Sequence, residues 1–192
     1  MIILFSLVMI AVRLITIKYC KEKIVLYKEF KNLLYIIYCF ILFQLVTTTD
    51  FESYSNNFIP FKEIMRYPTT SILFYRNVIG NIALFIPFGY LITDMIKERA
   101  GKCNIFITGV ITLLTSLSTE IIQMFIGRSF DVDDIILNIA GGLIGFIIFI
   151  IIRFIYKHIP EEYKKNSIKF LFCLVIALLL VLLLIAFNGG MK

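Results

Sequence analysis

The feature that most constrains this chain is the stretch 135–156, whose 22 residues carry one charged side chain, Arg153. A helix of about 20 apolar residues spans the hydrocarbon core of a bilayer. Five more segments have the same character: 1–17, 33–47, 77–96, 104–126 and 168–187. The first two are short and draw on flanking residues to complete a crossing. Few of the six show the strict alternation of barrel strands, so helices are expected. Of the 192 residues 60% are hydrophobic and only 17% charged. A soluble domain is about a quarter charged and could not hide this excess in one core. Disorder is excluded by the same numbers. Four scattered cysteines and one histidine exclude a disulfide scaffold and a His/Cys zinc site. The fold class expected is all-α, a polytopic transmembrane helical bundle of about six spans in the cell membrane. Residues 1–17 lack a basic n-region and an A-x-A-like cleavage site, so they read as a span and not as a signal peptide.

The net charge of +6 is unevenly placed. Segments 18–32, 97–103 and 153–169 hold 13 of the 19 basic residues, which makes them cytoplasmic by the positive-inside rule. Alternation from there puts both termini outside the cell. Counted by side, the inner ends and loops carry a net +8, and the outer side, Glu120 included, a net −2. The basic balance is therefore an orientation signal, and the partner it points to is the lipid bilayer and not nucleic acid.

Polar side chains are costly within a span and tend to mark function there. Here they gather. The third span opens with Asn77 and Asn81, one helical turn apart. The fourth carries Thr112, Ser116, Thr119, Glu120 and Gln123 at three- and four-residue spacing, hence on one face. The turn that follows contains Arg128, Asp131, Asp133 and Asp134, and the fifth span contributes Asn138. At 1.5 Å per residue, Glu120 lies roughly 9 Å, and Asn81 and Asn138 about 6 Å, below the outer ends of their spans. The expectation is one outward-facing pocket capped by Arg128 and Asp131. The bland reading stays open: amides in spans often only bond helix to helix, and hydroxyls often bond their own backbone. Glu120 needs a partner or a proton, and Arg128 is the partner expected. Asp133 and Asp134 suit the N-terminus of the fifth helix, and Asp133 is left to that role.

Pro87 and Gly89 interrupt the third span, and Gly141, Gly142 and Gly145 let the fifth approach a neighbour closely. In the long outer loop 47–76, a short helix is expected after Pro60 in the headgroup region, with Phe61, Ile64 and Met65 facing lipid or the pocket mouth.

These motifs resemble the VanZ-like family of membrane proteins. The likeness rests on Asn77-x3-Asn81-x3-Phe85-Ile86-Pro87-Phe88-Gly89, Glu120-x2-Gln123, Gly127-Arg128-x2-Asp131-x2-Asp134, Asn138-x2-Gly141-Gly142 and the loop element Asn57 to Phe61. It divides the chain into a first span and cytoplasmic basic loop (1–34), a VanZ-like membrane core (35–152), and a cytoplasmic loop with the C-terminal span (153–192). The family is named for a protein that raises resistance to teicoplanin, a lipid-tailed glycopeptide antibiotic. The resemblance implies a role at the cell envelope and no particular chemistry.

Three functions fit. The first is a binder of an extracytoplasmic amphiphile, lipid-linked headgroup or lipoglycopeptide, with Asn77, Asn81, Glu120, Gln123, Arg128, Asp131, Asp134 and Asn138 lining the site. An acyl tail would lie among Phe85, Phe88 and Phe125. The second is an enzyme acting on an envelope lipid or glycan, with Glu120 as general acid or base and Asp131 and Asp134 holding Mg²⁺ or Mn²⁺. The third is a structural partner of an envelope protein. The binder requires no metal and no cofactor. His158 lies on the cytoplasmic side of this topology, so the pocket has no histidine for nucleophilic catalysis.

Overall fold

A computed structural model of the chain describes residues 26–47 and 56–159. The predicted first and sixth spans lie outside the described residues. All the described regular structure is helical. Helix α1 (Leu26–Thr47) covers the predicted second span but begins within the segment read as a basic loop. Leu34, Tyr38, Ile41 and Leu42 form its buried stripe.

Residues 44–158 form a separate compact unit that carries the predicted site. In it a short helix α2 (Lys62–Arg66) precedes three long ones, α3 (Ile72–Ala100), α4 (Ile105–Phe125) and α5 (Val132–His158). These three are long and apolar enough to cross a membrane, and they coincide with the predicted third, fourth and fifth spans. Two begin earlier than their apolar runs. The Ser71 hydroxyl accepts from the Phe74 amide (3.1 Å), and the Asp131 carboxylate from the Asp133 amide (2.8 Å). Polar caps start helices outside the apolar run, so hydropathy alone sets the boundary late. Asn104 starts α4 in the same way, accepting from Phe106 and Ile107. At the far end of α3, Gly101 in the left-handed conformation (φ 70°) closes the helix.

Near its start α3 contains a π-helical turn, Tyr75–Ile79, in which Gly80 donates to the Tyr75 carbonyl. The wider turn re-aims the residues after it, Asn81 among them. The helix then runs on through Pro87.

The α3–α5 contact is made of backbone. A methyl group on Gly141 would meet the Ile82 carbonyl, and one on Gly145 would meet the Ile86 carbonyl and the Tyr90 amide. Gly89 lies against the Gly142 backbone in the same manner. Helix α4 is inside out. Its buried residues are Thr108, Thr112, Ser116, Glu120 and Gln123, while Phe106, Leu113, Leu114, Met124 and Phe125 are exposed. A water-soluble helix does the reverse; against lipid the pattern is the stable one. Thr112 donates to the Thr108 carbonyl (2.8 Å) and Thr93 to the Gly89 carbonyl (2.6 Å), while the Thr93 and Thr108 hydroxyls meet at 3.2 Å.

Candidate functional site

The site is built around the reversal between α4 and α5. Gly127 adopts φ 89° after the last turn of α4. Its amide donates to the Met124 carbonyl (3.2 Å), and the Arg128 amide to the Gln123 carbonyl (2.9 Å). This paired closure folds Arg128 back over the end of α4.

Glu120 is 2% exposed. One of its carboxylate oxygens accepts from the Asp131 amide (3.0 Å). With the Gln123 amide oriented to satisfy both neighbours, its nitrogen donates to Glu120 (2.8 Å) and its oxygen accepts from the Arg128 guanidinium (2.8 Å). Gln123 thus bridges the carboxylate and the cation that the sequence pairs directly.

Asp131 caps α5 and also accepts from the Asn57 side-chain amide (2.8 Å). Burial pushes its carboxyl above the ordinary aspartate value. The Asn57 and Asp133 N–H groups work against that rise, while the charges of Asp133 and Glu63 add to it. On α5, Asp134 accepts from the Asn81 side chain of α3 (2.5 Å). One turn further, the Asn138 nitrogen donates to the Ser116 hydroxyl of α4 (2.9 Å), and its carbonyl oxygen is buried with no hydrogen-bond partner among the described residues. Asn81, Glu120, Gln123, Arg128, Asp131, Asp134 and Asn138 therefore gather at one end of α3, α4 and α5. Asn77 does not join them: it sits half-buried in the π turn and makes no side-chain hydrogen bond among the described residues.

Asp133 does more than complement the dipole of its own helix. At 1% exposure it accepts from the amides of Phe61 (2.5 Å), Glu63 (2.7 Å) and Ile64 (3.2 Å). Those of Glu63 and Ile64 are open N–H groups of the first turn of α2. Phe61, which precedes that turn, holds a left-handed φ of 65° and offers no side-chain cap of its own. The loop is fastened a second time upstream: the Asn57 amide donates to the Phe130 carbonyl (2.8 Å) and the Val132 amide to the Asn57 carbonyl (3.1 Å). Asn56 accepts from the Phe130 amide (2.9 Å), and the Phe58 and Phe130 rings stack at 5.4 Å. Phe61 and Met65 are exposed and Ile64 is half-buried.

Asp133 stands in the first turn of α5 as expected and also anchors the loop, because the open amides around the start of α2 attract its carboxylate. Another expectation needs correction: the three phenylalanines proposed for an acyl tail do not come together. Phe85 and Phe88 are buried and pack edge to face (5.6 Å), while Phe125 is 81% exposed. Sequence reasoning also missed the Asn57–Asp131 bond, for which the loop motif was the only signal. Among the described residues no three His, Cys, Asp or Glu side chains converge as a metal site.

The VanZ/LLP1 family model matches residues 30–153. Protein VanZ of Enterococcus faecium is 28% identical over 151 residues, which cover 78% of this chain and 84% of that protein. No solved structure matches. The inside-out α4 and three helices of spanning length suit a membrane protein, and the chain belongs to the VanZ/LLP1 family.

Proposed function

We propose that this chain binds the headgroup of an extracytoplasmic amphiphile, a lipid-linked headgroup or a lipoglycopeptide, at the polar end of α3, α4 and α5. The observation that carries this reading is the hydrogen-bonded chain Asp131–Glu120–Gln123–Arg128, buried at Glu120 and Gln123, which keeps a carboxylate and a guanidinium ordered at one helix end. Such groups are costly in a bilayer, and a chain using them only for packing has cheaper choices. The basic loops orient this end toward the cell exterior. The VanZ name carried by the Enterococcus relative makes resistance to teicoplanin the phenotype to examine.

A structural role is the competing reading, favoured by the hydrogen bonds that the network makes within itself. Expression of Glu120→Gln and Arg128→Ala in a teicoplanin-sensitive host separates the two. Loss of protection at unchanged membrane abundance supports binding; loss of abundance in both variants supports the scaffold. A Ser129→Cys reporter in the same strains should label with an impermeant thiol reagent in intact cells. Labelling only after permeabilisation overturns the outward orientation.

A further inference from the structure

Within the site an acceptor is left over. The Asn81 side chain donates to Asp134, the Asn57 side chain to Asp131, and Gln123 and the Asp131 amide to Glu120. Arg128 donates to the Gln123 oxygen. Among the described residues the Asn138 carbonyl oxygen has no donor, and the residue is only 5% exposed. Its place is specific. Asn138 stands one turn below Asp134 on α5, and its nitrogen is held by Ser116, one turn below Glu120 on α4. The orphan oxygen is thus lodged between the two helices, beneath both carboxylates.

Charge points the same way. Glu120, Asp131 and Asp134 are all hydrogen-bonded into this end of the helices, and Arg128 is the cation held in the same network through Gln123. With Asp133 anchored to the loop amides, three carboxylates and one guanidinium stand around the site among the described residues. A buried acceptor calls for a donor, and an uncompensated negative charge in a dry environment calls for a cation.

We infer that the headgroup taken by this site carries a protonated amine, which brings positive charge and several N–H donors to Glu120, Asp134 and the Asn138 oxygen. The inference rests on the amphiphile reading above and names its ligand class. Arg128, already engaged by Gln123, then serves to hold Glu120 in place through that amide and does not receive an anion.

The test uses the full chain in phosphatidylcholine nanodiscs, with empty discs subtracted, titrated with octylammonium and with octyl phosphate. Octylammonium should saturate and bind about tenfold tighter than octyl phosphate, as expected when a charge-assisted bond is present in one and absent in the other. Asp134→Asn and Asn138→Ala should each weaken octylammonium, and Glu98→Gln, at the opposite end of α3, should not. The comparison of the two probes needs only the unmodified chain, so a variant that fails to fold leaves the test intact. Tighter octyl phosphate, lost in Arg128→Ala, overturns the amine inference and leaves the amphiphile reading standing. Displacement of octylammonium by sodium or potassium ions at constant ionic strength would mark an inorganic cation site and overturn it as well. Saturable binding of neither probe overturns both readings.

Discussion

The α3–α5 seam and the end where α4 turns into α5 belong to one compact unit, yet they are held by opposite means. Along the seam, Gly89, Gly141, Gly142 and Gly145 remove side chains so that backbone meets backbone or a Thr112 side chain. At the turn, Glu120, Asp131 and Asp133 supply side chains that accept N–H groups from segments distant in sequence. Steric contact is short-ranged and has no substitute. A carboxylate network has several bonds and can lose one without losing the rest. Errors in the seam should therefore destroy the fold, while errors at the turn should loosen a local segment or abolish binding. On the proposed function, the two regions divide architecture from recognition.

The largest effect belongs to the seam. Gly145→Leu drives a branched side chain into the Ile86 carbonyl and the Tyr90 amide, neither of which can move without breaking α3. A loss of about 4 kcal/mol or more is expected, read as disappearance of folded protein from the membrane fraction. Gly109→Ala is the control within the same bundle, since its nearest neighbour is the Leu143 side chain at an ordinary 3.7 Å. That change should be neutral or stabilising by up to about 1 kcal/mol. Equal behaviour of the two variants would mean that close approach does not distinguish the seam.

Asp133→Ala comes next. It removes the acceptor for the Phe61 amide and two amides of α2 and leaves them facing a cavity, at a cost of about 2–3 kcal/mol confined to the loop. Hydrogen exchange should accelerate at 61–64 and limited proteolysis should cut within 56–66, while the unfolding temperature of the helices changes little. A global loss of stability on the scale of Gly145→Leu would erase the division drawn above.

The two regions also differ in how far the sequence discloses them. The seam is legible because close packing of helices in a bilayer has a compositional mark, small residues four apart, and Gly141 and Gly145 show it. The polar face of α4 is legible for the same reason of period. Its extension to Thr108 follows the same spacing one turn further on, while Thr119 falls off the buried stripe and bonds the Ser116 carbonyl. At the turn, residue types mark which side chains are costly but not which amides they meet. Asp133 and Phe61 are far apart in sequence, and no periodicity links them. The π turn is likewise invisible, since Tyr75–Ile79 has nothing in its composition to separate it from α-helix. It shifts the helix face locally, which is why Asn77 and Asn81, one α-helical turn apart by spacing, have different fates.

The smallest effect expected is one of pH, and it arises at the turn alone. Asp131 is held by two N–H groups, yet burial wins and its carboxyl lies above the ordinary value of 3.8. A carboxyl raised in the folded state binds its proton more tightly there than in the unfolded chain. Its contribution is then whole below the ordinary value and declines as pH rises through the raised one. Asn at this position still caps α5 and still offers an oxygen to Asn57, but it cannot ionise. As pH rises above about 4, the unfolding temperature of the parent chain should therefore fall relative to that of Asp131→Asn. Gly109→Ala, which touches no titratable group, should run parallel to the parent throughout. If Asp131→Asn also runs parallel, the burial of Asp131 is not felt by the folded state. The turn would then behave like the seam, as packing without electrostatic consequence.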